Sequence, residues 1–254
     1  MRKRRSNRLP GAQADKNRRP KTVFCVFGTR PEAIKMAPVV RELVRRGRQE
    51  GIQPIVCVTA QHRQMLDQVL SLFDIRPDYD LDLMRDDQSL SDLTAKVLTG
   101  VDEILVQEKP DWALVQGDTT TAMAAALAAF YRQIKIGHVE AGLRTWNKFQ
   151  PFPEEINRKI ADGVADLHFA PTDTARQNLL REGIAAQGIR VTGNTVIDAL
   201  HRVAAQPFDW ERSNLGTAAL GAPDTRLILV TAHRRENIGA PLENICAALR
   251  EIAE

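Results

Sequence analysis

The sequence has 254 residues, of which 43% are hydrophobic and 26% are charged, and its formal net charge is +3. These values are ordinary for a globular protein, and no apolar run approaches the roughly 18 residues that a membrane-spanning helix needs. Composition therefore excludes a fibrous protein, a miniature scaffold and a membrane-spanning protein, and we expect a soluble chain.

The positive charge is concentrated at the amino terminus. Residues 1–21 hold nine Lys or Arg residues and one acid, Asp15, so the remainder of the chain is mildly acidic. The segment has no apolar run after its charges and is not a secretory signal. We predict that residues 1–20 form a disordered basic tail, with binding to nucleic acid or to a membrane surface as the minor alternative.

The three cysteines, Cys25, Cys57 and Cys246, show no metal-ligand spacing. Cys25 and Cys57 lie in apolar runs, where a thiol usually serves as a small hydrophobic side chain. We expect reduced thiols, a cytoplasmic location and no cysteine metal site.

From residue 22 onward, short apolar runs alternate with segments of helical period. Strands are predicted at 22–27, 54–58, 112–115, 134–139, 167–170, 189–192 and 227–231. Between strands, apolar residues recur at spacings of three and four, as from Leu90 to Leu105, and the segment 121–131 is almost wholly apolar. This alternation predicts an α/β fold, with a parallel sheet covered by helices on both faces.

We predict a domain boundary near Gly193, because the Gly- and Pro-containing segment 206–224 interrupts the alternation shortly afterwards. Residues 21–192 would then form a first α/β domain. Residues 193–254 would begin a second, of which one strand, within 226–231, and one helix precede Glu254.

Polar clusters follow directly after the predicted strands, at 28–32, 59–63, 116–121, 138–144, 192–194 and 231–236. Because the carboxyl ends of parallel strands share one edge, these clusters should converge on one ligand crevice. The first cluster opens a helix and places Arg30 and Lys35 near its amino terminus, which suits a phosphate. It matches neither a Walker loop nor a dinucleotide fingerprint. The alternative makes Thr29 a helix cap and Arg30 a surface charge.

The acidic residues in these clusters each have two interpretations. Asp118 taken alone is better explained as the N-cap of the apolar helix that follows it. Glu140 has Arg144 at helical spacing, and Glu154 and Glu155 are ordinary first-turn acids beside a helix dipole.

If the clusters share one edge of the sheet, the same acids can instead form a catalytic or binding site, and this second interpretation is the favoured one. Asp118, Glu140 and Glu154 would lie together there, beside His138 and His233. Carboxylates crowded in a cleft push one another's pKa values apart, which lets one residue type serve as both acid and base. The residues alone therefore indicate a phosphate-bearing ligand and carboxylate acid–base chemistry.

Eight motifs occur in order from residue 22 to the end: VFGTRPEAIKMAP, TAQHRQMLDQ, GDTTT, GHVEAGLRT, PFPEEINR, ADLHFAPT, VTGNTVIDAL and TAHRREN. Together they resemble the UDP-N-acetylglucosamine 2-epimerase family. The resemblance implies two Rossmann-like domains of the glycosyltransferase-B type with substrate between them, the second only begun in this chain. It also implies a homodimer that interconverts UDP-N-acetylglucosamine and UDP-N-acetylmannosamine with no cofactor, no metal and no nucleic-acid or membrane partner.

The resemblance further implies a mechanism, in which the C2 proton and UDP are removed to give a glycal and are then returned with the opposite configuration at C2. Motif by motif, it assigns catalytic roles to Asp118, Glu140, Glu154 and His233. It assigns diphosphate contacts to Arg30 and Lys35. In bacterial members regulated by their own substrate, the positions of Gln61 and Gln64 line a second substrate site.

Two positions depart from the family pattern. Trp146 stands where glycine is common, and Asp87 stands where regulated members carry an arginine before Gln88. The second change puts the regulatory site in question and leaves the catalytic carboxylates untouched.

The sequence leaves four hypotheses about the function of the protein. The GTRPEAIKMAP form favours a non-hydrolysing epimerase over a hydrolysing one that releases free N-acetylmannosamine and UDP. A glycosyltransferase would leave the three carboxylate motifs unexplained, and an inactive nucleotide-sugar binding module is the alternative from outside the enzymes. We expect this chain alone to be inactive, because its predicted second domain stops after one strand and one helix.

Overall fold

The structure is a computed structural model that describes residues 2–3, 19–59, 63–83, 88–209, 226, 228–232 and 239–253. The strands are β1 (Arg2–Lys3), β2 (Lys21–Phe27), β3 (Ile52–Val58), β4 (Tyr79–Asp80), β5 (Trp112–Gln116), β6 (Lys135–Val139), β7 (Leu167–Ala170) and β8 (Ile189–Val191). The helices are α1 (Arg30–Glu50), α2 (Arg63–Leu72), α3 (Leu90–Glu108), α4 (Thr120–Tyr131), α5 (Glu154–Val164), α6 (Asp173–Arg181), α7 (Val196–Ala204) and α8 (Ala240–Ala253).

One sheet organises these elements, in the strand order β1-β4-β3-β2-β5-β6-β7-β8. Strands β2 to β8 are parallel, and the two-residue β1 pairs antiparallel with β4 at one edge. This confirms the predicted α/β class and the Rossmann-like parallel sheet. The chain order runs outward from β2 in both directions, so the point where it reverses lies between β2 and β5. Ligands in open parallel sheets bind outside the strand ends at such a point.

The sheet is buried on both faces because its strands are apolar at successive positions. In β2, Phe24 and Val26 belong to a core that includes α3 and α4, whereas Val23, Cys25 and Phe27 belong to a core that includes α1 and α2. Alternate side chains of a strand point to opposite faces, so one apolar run supplies both layers.

The helical pattern at 90–105 is confirmed, because five residues of α3 are buried: Leu93, Val97, Val101, Ile104 and Leu105. Leu90, the first residue of the helix, is exposed. In α4 the buried residues run from Thr120 to Ala129, and the aromatic side chains of Phe130 and Tyr131 are exposed at its end.

Two cysteines lie in the core, as expected from their apolar surroundings. Cys25 and Cys57 are free and buried. Burial, with a smaller contribution from Asp78, raises the pKa of Cys25 to about 12, so this thiol stays neutral near pH 7. Both act as small hydrophobic side chains.

The structure differs from the sequence predictions at the amino terminus. Arg2–Lys3 form a strand where a disordered tail is predicted. Residues 4–18 lie outside the described residues, so disorder there stays a prediction.

The described chain forms two compact units, residues 1–205 and 206–254, and α7 packs against α1 within the first. A domain boundary near Gly193 stays a prediction. In the second unit, the strand predicted at 227–231 is absent among the described residues, and Leu229 is 91% exposed. A strand needs a hydrogen-bonded neighbour, and the described part of this unit offers only α8. No described helix is both long and apolar enough to cross a bilayer.

Candidate functional site

The loop after β2 and the turn after β5 meet at the point where the strand order reverses, and Glu32 joins them. One carboxylate oxygen of Glu32 accepts hydrogen bonds from the backbone N–H groups of Gly28 (3.0 Å) and Thr29 (2.7 Å). The other oxygen accepts a hydrogen bond from the Thr119 hydroxyl at 2.6 Å. Burial raises the pKa of Glu32, against the opposing effect of these hydrogen bonds. The sequence analysis missed this residue, although Thr29 and Glu32 have the spacing of a capping box.

Gly28 is the residue that permits this close approach. A Cβ atom at Gly28 would lie 2.2 Å from the hydroxyl oxygen of Thr59 and 2.6 Å from that of Thr121. These two hydroxyl oxygens are themselves 3.1 Å apart. Only glycine therefore lets the ends of β2, β3 and α4 come together beneath the amino terminus of α1.

The two predicted cations on α1 have different environments. Arg30, the first residue of the helix, is exposed and has no hydrogen bond or ion pair with another described residue. Lys35 Nζ lies 2.8 Å from Oε1 and 2.6 Å from Oε2 of Glu140. Arg30 is thus available to an anion at the helix amino terminus, whereas Lys35 holds a carboxylate.

Glu140 follows β6 in a strained backbone conformation. Its φ is +65°, a left-handed value that is uncommon for residues other than glycine. Besides Lys35, its carboxylate accepts hydrogen bonds from Gln116 Nε2 (3.1 Å) and Asn194 Nδ2 (3.3 Å). The expected alternative of a pair with Arg144 is wrong, because Glu140 lies in a turn, where helical spacing does not bring residues together.

Asp118 does not cap α4, so the capping role favoured for it in the sequence is also wrong. The cap is Thr119, whose hydroxyl accepts a hydrogen bond from the Ala122 N–H at 3.0 Å. The Asp118 carboxylate instead forms an ion pair with Arg158 of α5 and is 31% exposed. Its backbone carbonyl accepts a hydrogen bond from Asn157 Nδ2 at 3.0 Å. Asp118 is therefore held by α5 and remains accessible.

The two acids that begin α5 have distinct roles. Glu155 is buried, and its carboxylate accepts hydrogen bonds from the N–H groups of Thr145 (3.1 Å) and Trp146 (3.0 Å). Glu154 Oε2 is also buried but has no hydrogen-bond partner among the described residues. Glu154 shares a helix face with Arg158, which contacts Asp118. A buried acceptor without a partner, beside an accessible carboxylate, indicates a place where a ligand binds.

His138 is not at the edge of the sheet beside the carboxylates, as predicted, but fully buried beneath them. Its Nδ1 lies 2.6 Å from Asp162 Oδ1, and its Nε2 lies 2.7 Å from the Gly117 carbonyl oxygen. Burial alone lowers the pKa of His138, but the Asp162 carboxylate and these hydrogen bonds outweigh it and the pKa is raised. Asp162 also accepts a hydrogen bond from Arg144 at 2.7 Å.

Trp146, one of the two departures from the family pattern, has a φ of +63°. Glycine adopts this conformation without strain, so the structure explains why glycine suits this position. The Trp146 ring lies 5.1 Å from Lys159 Nζ and 5.2 Å from the guanidinium carbon of Arg181. These cation–π contacts offset part of the backbone strain.

Several predicted positions lie outside the described residues. They are Gln61, Asp87 and His233, and for Gln64 only the backbone, in α2, is described. Within the described residues, no group of His, Cys, Asp and Glu side chains is arranged to hold a metal ion. The site as described therefore offers carboxylates, cations and a helix amino terminus at one edge of the sheet.

The chain is similar in sequence to known proteins. A sequence model of the UDP-N-acetylglucosamine 2-epimerase family matches residues 45–254. The UDP-N-acetylglucosamine 2-epimerase of Bacillus subtilis (strain 168) is 54% identical over 230 residues, which are 91% of this chain and 58% of the relative. The Escherichia coli (strain K12) enzyme of the same name is 53% identical over 234 residues, which are 91% of this chain and 61% of the relative.

Solved structures give the same result. The S. aureus MnaA–UDP structure has a TM-score of 0.79 and 50% identity, covering 91% of this chain and 59% of that one. The UDP-GlcNAc 2-epimerase of Neisseria meningitidis, bound to UDP-GlcNAc, has a TM-score of 0.67 and 54% identity, covering 71% of this chain and 48% of that one. The chain spans about 60% of the length of the curated relatives it matches. On the family match and these identities, the chain belongs to the UDP-N-acetylglucosamine 2-epimerase family.

Proposed function

We propose that this chain supplies the catalytic carboxylates of a non-hydrolysing epimerase that interconverts UDP-N-acetylglucosamine and UDP-N-acetylmannosamine. The observation that carries the proposal is the grouping of Asp118, Glu140 and Glu154 around the reversal point of the sheet, with one oxygen of Glu154 buried and unpaired among the described residues. A glycosyltransferase or a simple binding module has no need of three such groups.

The proposed reaction begins with elimination. A carboxylate takes the proton from C2 of the sugar, the C2–H electron pair forms a C1=C2 double bond, and the C1–O bond breaks with its electrons on the β-phosphate oxygen of UDP. A carboxylic acid then returns a proton to the opposite face of C2, and UDP adds back to C1. The two proton transfers need acid–base groups on both faces of C2, and Asp118, Glu140 and Glu154 are the three candidates.

Electrostatics support these roles. Lys35 forms an ion pair with Glu140, and Arg158 forms one with Asp118, so each carboxylate is held in place by a cation. The departing UDP gains negative charge, which the exposed Arg30 and the amino terminus of α1 are placed to stabilise.

Three further elements belong to the proposal by resemblance. His233 completes the catalytic set. Gln61 and Gln64 match positions that line a second substrate site in regulated members, and Asp87, in place of an arginine, departs from the pattern of that site. The active assembly is a homodimer in the cytoplasm. The chain spans about 60% of its relatives' length, and we expect it to have little or no epimerase activity when it is made alone.

Product analysis tests the proposal. The chain would be incubated with UDP-N-acetylglucosamine, both alone and joined at Glu254 to the remaining carboxyl-terminal segment of the Bacillus subtilis relative. We expect UDP-N-acetylmannosamine from the joined protein. Free N-acetylmannosamine with UDP would instead identify a hydrolysing epimerase, and no product despite UDP binding would identify a binding module.

Two variants test the carboxylates in the joined protein. We expect Asp118→Asn and Glu140→Gln each to lower turnover at least about 10²-fold, with little change in UDP affinity, because each removes an acid–base group. Asp111→Asn is the matched control, since Asp111 lies just before β5 and bonds the Thr22 N–H at 2.8 Å, far from the strand end that bears Asp118. Near-normal turnover in both site variants would overturn the assignment.

A further inference from the structure

A chain of buried charges lies directly beneath the carboxylates and has no part in the proposed reaction. His138 contacts Asp162 at 2.6 Å, and Asp162 contacts Arg144 at 2.7 Å. Arg144 Nε in turn lies 3.0 Å from Glu182. The side chains of His138 and Arg144 are wholly buried, and that of Asp162 nearly so. Apolar residues of the same volume would often be at least as stable as a buried set of charges, so stability alone does not explain this network.

The hydrogen bonds determine the charge on His138. Both ring nitrogens face acceptors, namely the Asp162 carboxylate and the Gly117 carbonyl. Asp162 accepts further hydrogen bonds from Arg144 and from the Gly142 N–H at 3.3 Å, which favours its ionised form. His138 must therefore donate from both nitrogens, as an imidazolium.

This imidazolium fixes the turn that carries Asp118. Gly117 has a φ of +71°, and its N–H donates to the Val139 carbonyl at 3.0 Å. Its carbonyl accepts the hydrogen bond from His138 Nε2 at 2.7 Å. Strand β6 thus holds both backbone polar groups of Gly117, the residue that immediately precedes Asp118.

The same network holds the backbone on both sides of Glu140. Asp162 bonds His138, two residues before Glu140, and the N–H of Gly142, two residues after it. Between these anchors, Glu140 keeps its left-handed backbone conformation. A residue in such a conformation persists only where its surroundings hold it.

We propose that His138 and Asp162 are positioning residues, which form a buried ion pair that holds Asp118 and Glu140 in a fixed geometry from below. The inference rests on the proposed function for the roles of those two carboxylates. Errors of about 1 Å in placing a reacting group cost about 10²-fold in rate, which is the scale of the effect expected on turnover.

The first test is the protonation state of His138 in the chain as it stands. In ¹⁵N-histidine-labelled protein, the spectrum of the five imidazoles is followed from pH 5 to 9. We expect His138, assigned from the signal lost in His138→Gln, to keep both ring protons at pH 8. The charged and titratable groups that face it are Asp162 and, behind it, Arg144, with His168 on β7 in register beside it. A ring that loses a proton near the ordinary histidine pKa of about 6.5 would overturn the proposal.

The second test is amide hydrogen exchange in Asp162→Asn. Loss of the carboxylate favours a neutral His138 ring, which has a single N–H and can no longer donate to both residue 162 and the Gly117 carbonyl. We expect exchange at Gly117 and Gly142 to become at least about tenfold faster, with β2 and β3 unchanged. The matched control is Asp166→Asn, which changes an acceptor of the Ile136 N–H at the other end of β6. Unchanged exchange at the two glycines, or an equal increase throughout the sheet, would refute a positioning role.

The kinetic consequence is measured in the joined protein. We expect Asp162→Asn to lower kcat about 10²-fold with KM within about twofold, while Asp166→Asn keeps both. A rise in KM with unchanged kcat would contradict the inference. Because the spectra and the exchange rates need no turnover, an inactive joined protein with the predicted exchange pattern would count against the proposed function alone.

Discussion

Replacing Glu32 should destabilise the first unit strongly, although the residue touches no substrate in the proposed site. Glu32→Ala leaves the backbone N–H groups of Gly28 and Thr29 without their acceptor and frees the Thr119 hydroxyl. Each buried donor left unsatisfied costs about 1–3 kcal/mol. With two such donors, we expect a loss of about 4 kcal/mol, or about 10 °C in the melting temperature of a unit of this size.

Glu32→Gln should cost much less, because an amide can reproduce most of these hydrogen bonds. The glutamine oxygen can accept from both backbone N–H groups, and its NH₂ group can donate to Thr119. Burial already raises the pKa of Glu32, so a neutral side chain is tolerated there. We expect about 1 kcal/mol of destabilisation from the loss of charge assistance.

The assay is urea unfolding followed by circular dichroism, with Glu42→Ala as the matched control. Glu42 lies on the same helix, α1, and its exposed carboxylate pairs with Arg45 and Arg46. The control should show no measurable change. Glu32→Ala as stable as the control, or Glu32→Gln as unstable as Glu32→Ala, would refute the view that Glu32 ties the two strand ends together.

Changes at four further residues test the geometry. Gly28→Ala should cost about 1–3 kcal/mol in urea unfolding, because its Cβ would meet two threonine hydroxyls within 2.6 Å. Gly163→Ala in α5 should instead be neutral or stabilising, because no atom lies within 4 Å of the added Cβ. An equal loss of stability in Gly28→Ala and Gly163→Ala would contradict this prediction. Trp146→Gly should be about 1 kcal/mol more stable than Trp146→Ala, because only glycine relieves the left-handed backbone; a reversed order would contradict this. Burial acts to raise the pKa of Asp162, but His138 and Arg144 outweigh it, so the pKa is lowered from 3.8. A carboxyl group whose pKa is lowered on folding stabilises the folded state at pH values above its pKa in the unfolded state. The difference in unfolding free energy between the unchanged chain and Asp162→Asn should therefore shrink as pH falls below about 4, and a constant difference would contradict this prediction.

Much of the sheet was predictable because its strands are short apolar runs that end at polar clusters. Six of the seven predicted strands occur, and polar residues such as Asp118 and Glu140 follow the carboxyl ends of these strands. The run at 227–231 has the same apolar character but forms no strand among its described residues, because strand formation depends on a neighbour that local sequence does not reveal. The two-residue β4 is too short to leave a periodic signal.

Side-chain pairing was less predictable. Lys35 and Glu140 are 105 residues apart in the chain, and Asp118 and Arg158 are 40 apart. Which partners meet depends on how the backbone turns after each strand, and a left-handed residue such as Glu140 redirects its side chain in a way that spacing does not show. The sequence places His138 in a polar cluster at the end of a predicted strand. In the structure it is still within β6, and its side chain is buried.

The most direct measurement of the central claim is the transfer of solvent hydrogen to C2. The chain joined to the carboxyl-terminal segment of a relative would be incubated with UDP-N-acetylglucosamine in D₂O, and both nucleotide sugars would be analysed by proton NMR and mass spectrometry. We expect one deuterium at C2 of UDP-N-acetylmannosamine, and we expect Asp118→Asn or Glu140→Gln to abolish both this deuterium and turnover. Epimerised product that retains its original C2 hydrogen would contradict carboxylate-mediated proton exchange at this site.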